Sequence, residues 1–161
     1  MNQTPTLERP PSSVTRNVWL MGLASLFTDI SSEMIYPLIQ AFVSMVLAAR
    51  RALIGPFLGL IEGVAESTAA LLKVYAGYHS DRIRKRKAMA IGGYGLSALS
   101  KPLFFLGGFG WAFVLLARFA DRIGKGIRTA PRDALIAEST PPGAQGRAYG
   151  FHRAMDFGGA T

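Results

Sequence analysis

Between Trp111 and Pro131 runs an apolar segment long enough to cross a bilayer, yet it carries Arg118, Asp121, Arg122 and Lys125. Few features restrict a fold more. Each such charge costs about 2.5 to 3.5 kcal/mol at the centre of a membrane helix. Four of them cost on the order of 10 kcal/mol, and the apolar turn from Trp111 to Ala117 returns only a few. Either the segment does not span, or its charges face partners or water inside a bundle. The spacing favours the second option. Positions 118, 121, 122, 125, 128 and 132 step by three and four and form one stripe on one helix face. Within the stripe, Asp121 is placed to pair with Lys125 at i+4 and with Arg118 at i−3.

The rest of the chain has the same character. Its 161 residues are half apolar, in long blocks broken by short charged or Pro/Gly-rich joints. A soluble core helix needs a polar face toward water, and several blocks have none. A hydrocarbon core about 30 Å thick takes roughly 20 apolar helical residues. Segments at about 18–47, 53–78, 88–107 and 111–131 reach that length, and a fifth opens near Arg147 and runs to Thr161. The expected fold is an all-α membrane protein with four transmembrane helices and the start of a fifth. Residues 1–17 read as a disordered lead, and 18–161 as a partial helix bundle. The apolar run after Arg16 outlasts a signal peptide, so an uncleaved first span is favoured.

Spans one and two carry charges too. Asp29 and Glu33 are i, i+4, and so are Glu62 and Glu66, with Lys73 two turns on; span three carries Lys101. The five acids Asp29, Glu33, Glu62, Glu66 and Asp121 match the five bases Lys73, Lys101, Arg118, Arg122 and Lys125. Unpaired charges in hydrocarbon are too costly to keep, which implies a polar interior shared by these spans. A purely structural ion-pair network is the bland alternative, but buried pairs are weak stabilisers compared with apolar packing. Carboxyls at a midplane cavity also suit proton binding, because a neighbour's charge tunes their uptake.

The formal net charge is +8. Cations crowd the joints of one side: Arg9 and Arg16, the run Arg82–Lys87, then Arg132 and Arg147. The other side has only Arg50 and Arg51. This bias puts the amino terminus in the cytoplasm of a multi-pass protein of the cell (inner) membrane. The Arg82–Lys87 run lies between apolar helices with no aromatic interleaving, so it does not read as a nucleic-acid site. There is no cysteine, and His79 and His152 have no ligand-like spacing, so no metal or cofactor is expected. The string Gly93-Tyr94-Gly95-Leu96-Ser97-Ala98 has the form of a dinucleotide loop but no βαβ context, and it reads as small residues for helix packing. No enzyme is expected.

The joint after span two, Gly77-Tyr78-His79-Ser80-Asp81-Arg82-Ile83-Arg84-Lys85-Arg86, resembles the cytoplasmic loop between helices two and three of the major facilitator superfamily. Gly77, Asp81, Arg82, Lys85 and Arg86 fit its Gly-x-x-x-Asp-Arg-x-Gly-Arg-Arg pattern; Arg84 replaces the second glycine. Arg118 with Gly124 resembles the family's Arg-x-x-x-Gly-x-Gly in helix four, with Arg122 at the first glycine. The strings 27–37 and 118–133 resemble an uncharacterised bacterial branch. The resemblance implies a twelve-helix fold in two halves, each of inverted three-helix repeats. Helices one and four would line the cavity, and Gly77, Asp81, Arg82, Lys85 and Arg86 would belong to a cytoplasmic gating loop. Asp29 or Glu33 would be the proton site, with Glu62, Glu66 and Asp121 as further candidates and Arg118, Arg122 and Lys125 as substrate or coupling partners. The implied activity is proton-coupled transport of a small solute in a longer parent chain. This piece would not transport alone, and its partners would be the bilayer, a solute and protons. A short membrane scaffold without transport activity is the alternative.

Overall fold

The computed structural model describes residues 14–104, 106 and 111–160, and among these every regular element is a helix. The joint at 107–110 and most of the lead lie outside the described residues. Within the lead, Thr15 caps the first helix by accepting from the Val18 N–H at 3.4 Å, which satisfies one of the donors a helix start leaves free.

Helix α1 is Arg16–Glu33 and α2 is Tyr36–Val46. The sequence leads one to expect a single helix here, and the structure breaks it. Pro37 is the cause. It has no N–H, and its ring clashes with the carbonyl four residues back, that of Glu33. The chain therefore turns at Met34 and Ile35 and restarts with proline in the first turn of α2. Together they form a stretch, Arg16–Val46, that is long and apolar enough to cross a membrane by length and composition. A 3-10 turn, Ala48–Leu53, leads into α3, Ile54–Ile83. Helices α4 (Arg86–Leu103), α5 (Trp111–Glu138) and α6 (Gln145–Gly159) follow. At 30 and 28 residues, α3 and α5 are longer than a bilayer requires, but their charges lower their mean hydropathy.

Small residues let the helices approach closely. At the α4–α5 crossing, a β-carbon on Gly93 would stand 2.8 Å from the Gly124 carbonyl oxygen. One on Gly124 would stand 2.7 Å from both the Gly93 carbonyl oxygen and Ser97 Oγ. Gly126 of α5 meets the backbone of Ala69 in α3 in the same way, and Gly159 of α6 that of Leu26 in α1. Helix α5 is thus clasped between α3 and α4, while α6 lies along α1.

Burial is inverted relative to a soluble protein. Asp29, Arg118, Asp121, Arg122, Arg128 and Arg132 are buried, whereas Met45, Leu71, Val74 and Leu99 are exposed. Charged side chains are the residues least often buried in water-soluble folds. An apolar exterior around a charged interior fits a lipid surround.

Candidate functional site

The charges meet between helices, not along them. Arg118 of α5 grips Glu62 of α3 with two parallel hydrogen bonds, Nε to Oε1 at 3.0 Å and Nη2 to Oε2 at 2.6 Å. Its guanidinium also lies 5.3 Å from the centre of the Tyr36 ring, within cation–π reach. One turn further along both helices, Arg122 reaches Glu66 at 2.9 Å. The two pairs share an offset of 56 residues, so α3 and α5 run parallel in register here. The two-pronged geometry is what arginine's planar fork provides and lysine's point charge does not.

Asp121 and Asp29 sit on the neighbouring face. The in-helix pairs expected of Asp121 with Arg118 and Lys125 do not form. Arg118 is taken by Glu62 on the crossing helix, and Asp121 accepts instead from Ser32 Oγ of α1 at 3.3 Å. Lys101 of α4 donates to the same Ser32 hydroxyl at 3.1 Å and to the Thr28 carbonyl at 3.0 Å, which ties α4 to α1. Asp29 is held by Arg128 at 2.9 Å, with Lys125 further off at 3.9 Å. Arg128 is almost wholly buried; it also donates to Ser97 Oγ at 3.0 Å and lies 4.6 Å from the Tyr94 ring centre. Beyond it, Arg132 donates to Ser25 Oγ at 2.9 Å and pairs with Asp133 at 2.9 Å and Asp156 at 3.5 Å. The result is a ladder of charges from Tyr36 to Asp156, with α5 supplying the cations.

Two expected members stand apart. Glu33 makes no ion pair or side-chain hydrogen bond among the described residues, and Lys73 is exposed and equally unpaired. Both lie on helices that carry the ladder, but neither is joined to it. Conversely, the ladder includes groups outside the expected site: Arg128, Tyr94, Ser97, Ser32 and Tyr36. Arg128 continues the three-four spacing of the stripe, and that spacing was the signal for it. The serines and tyrosines left no such signal. Among the described residues, no three His, Asp or Glu side chains gather as metal ligands would.

The loop residues form a second group. Asp81, in the last turn of α3, pairs with Arg86 at the start of α4 at 2.7 Å, and Arg86 also pairs with Glu138 at the end of α5. One guanidinium thus ties three helix ends together. Gly77 faces Ala130 of α5, where a β-carbon would come within 3.3 Å. Arg82 and Lys85 are exposed. Arg84 occupies the left-handed region, φ 57°, and ends α3. The family pattern has glycine there, the residue that adopts this conformation without strain.

Comparison with known proteins gives this geometry a context. The chain is 39% identical over 147 residues to the uncharacterised MFS-type transporter MJ1317 of Methanocaldococcus jannaschii, covering 91% of this chain and 35% of that protein. It is 31% identical over 152 residues to the uncharacterised proteins Mb2288 of Mycobacterium bovis and Rv2265 of Mycobacterium tuberculosis, covering 94% of this chain and 36% of each. The chain therefore spans about a third of the length of these relatives. No solved structure matches it. The model of the Major Facilitator Superfamily matches residues 21–161, nearly the whole described chain. With that match, the inverted burial and the close relatives, the chain belongs to the major facilitator superfamily and is a multi-pass membrane protein.

Proposed function

We propose that these residues form part of a secondary transporter that moves a small solute across the cell (inner) membrane, coupled to protons. The observation that carries the reading is the ladder itself. All six helices contribute charged or polar groups to one interior seam, at an energetic cost that apolar packing would avoid. In this reading α1 with α2, α3, α4 and α5 are four spans, and α6 begins a fifth. The amino terminus and the α3–α4 joint face the cytoplasm, as the cation bias supports. The Asp81–Arg86–Glu138 tie acts as the gating latch, holding three helix ends together in one state and releasing them in the other. The break between α1 and α2 supports a site at this depth, because interrupted spans mark binding sites in transporters.

The ladder also sorts the candidates. Glu62, Glu66 and Asp29 are each held directly by an arginine, and Asp121 is tied through Ser32. Glu33 is the carboxyl with no such hold, so it is the assigned proton carrier, beside the freed carbonyl at the helix break. Asp29 becomes the clamp that positions Arg128. The test is uptake by the full-length protein in proteoliposomes, loaded with a fractionated cell extract under an imposed pH gradient. Wild-type protein is expected to accumulate a solute only with the gradient. Glu33→Gln is expected to abolish the gradient dependence, and Arg122→Ala the uptake. Unchanged uptake in both variants sinks the functional reading of the ladder.

A further inference from the structure

His152 of α6 is only 1% exposed, so what it meets is set by α6 itself and by the two helices packed on it, α1 and α5. Its Nε2 has no hydrogen-bond partner among the described residues. Its Nδ1 stands 3.6 Å from Asp156 Oδ2, just beyond hydrogen-bond length. Buried polar atoms are nearly always bonded, and an exception calls for a reason. Packing alone is a poor one, because an apolar side chain fills the same space without desolvating ring nitrogens.

Its neighbour Asp156 is loosely held. Glu62, Glu66, Asp29 and Asp133 each lie within 2.9 Å of an arginine nitrogen. Asp156 Oδ2 has Arg132 at 3.5 Å, His152 at 3.6 Å and Arg153 at 3.9 Å, although the side chain is only 14% exposed. The charges facing His152 balance: Arg132 and Asp133 from α5, Arg153 and Asp156 from α6. Helix α1 adds none, since it has no charged residue between Arg16 and Asp29; it brings Ser25, bound by Arg132 at 2.9 Å. A proton taken up by the ring adds one positive charge, and Asp156 is the group placed to answer it. That proton lies between Nδ1 and Oδ2, where closing the gap makes a charge-assisted hydrogen bond. Arg132 and the imidazolium then compete for one carboxylate, and Arg132 keeps Asp133 and Ser25.

We propose that His152 and Asp156 form a proton-binding site at the α6 end of the ladder, where the bound proton displaces Arg132 from Asp156 and loosens α5 from α6. Loss of the proton restores the Arg132–Asp156 tie. This site is separate from Glu33, which lies at the other end of the ladder. Its role in transport rests on the transport reading, whereas its proton binding does not. His152 stands seven residues into α6, about 10 Å from the end read as cytoplasmic. A cavity of about 330 Å³ between α1, α4 and α5, lined in part by Asn17, Lys87, Tyr94, Ser139 and Arg132, has the room and the polar lining to bring water to Arg132.

The test uses the full-length protein in lipid vesicles, with isotopically labelled histidine rings followed by NMR as the pH is lowered. The His152 signal is the one missing from His152→Gln; where that variant does not fold, it is the one that moves in Asp156→Asn. It is expected to pass from neutral ring to imidazolium before the protein unfolds. Asp156→Asn is expected to weaken proton binding at least about tenfold, because the opposing charge is gone, and Arg132→Gln to strengthen it about as much, because the rival cation is gone. In proteoliposomes, His152→Gln is expected to flatten the dependence of uptake on pH at the cytoplasmic side. A ring that stays neutral until unfolding overturns the proposal, and so does a proton affinity unmoved by Asp156→Asn. Uptake whose pH dependence is unchanged in His152→Gln overturns the role in transport. If no solute accumulates, the transport reading falls, and the ring titration still decides the site.

Discussion

Arg84 holds a backbone conformation that a side chain disfavours, with φ at 57°. Replacing it by glycine removes that strain, so Arg84→Gly is expected to stabilise the protein by about 1 kcal/mol, read from unfolding in detergent. The buried pairs give the opposite sign. Asp29→Ala would leave Arg128 buried with no anion, and breaking such a pair costs roughly 3 to 5 kcal/mol. Glu66→Ala is expected to cost at most about 1 kcal/mol, because that carboxylate is 58% exposed. Comparing the two melting shifts in one detergent checks the order. At this scale the sequence was informative about which residues carry charge and on which face, but not about partners. Local spacing pointed Asp121 to Arg118 and Lys125. The crossing helices offered Glu62 to Arg118 and Ser32 to Asp121, and no spacing rule contains a crossing helix.

Helix crossings carry the next level. Gly93 lets α4 approach α5 until a β-carbon would stand 2.6 Å from that of Arg128. Gly93→Ala is therefore expected to destabilise by about 1 to 3 kcal/mol through overpacking. Gly95, two residues on, has open space within 4 Å. Gly95→Ala is expected to stabilise by roughly 0.5 to 1 kcal/mol through helix propensity. The pair of variants, melted side by side, separates packing from propensity. Apolar blocks and joints mark roughly where the helices fall, but α3 and α5 run on to Ile83 and Glu138, past the apolar blocks that end near 78 and 131. Pro37 was visible, but the break it makes between α1 and α2 was not foreseen. The small-residue run 93–98 was read as packing, yet which glycine touches the neighbour depends on the rotation of α4, which composition does not set.

For the whole molecule, family membership and the inverted burial agree on a membrane protein, whereas the number of spans is argued from apolar block length and their orientation from the cation bias. Residues 1–161 contain no cysteine, so single cysteines report cleanly on position. Arg84→Cys and Arg50→Cys are expected to react with a membrane-impermeant thiol reagent from opposite faces of sealed vesicles, Arg84 from the cytoplasmic one. Labelling from the same face would contradict the span order. A twelve-helix frame is an expectation from motif resemblance alone, since these residues span about a third of the relatives they match.

The most direct measurement compares polar and apolar residues that are all exposed in this chain. Glu66 and Lys125 flank the ladder, whereas Leu71 and Leu99 lie on the apolar exterior and are 73% and 72% exposed. Each is replaced singly by cysteine in the full-length protein, in native membranes, and offered a small charged thiol reagent that does not enter lipid. The expected result is rapid modification at 66 and 125 and none at 71 and 99, as a water-lined polar seam inside a lipid-facing bundle requires. Equal modification at all four positions, or at 71 and 99 alone, would contradict it.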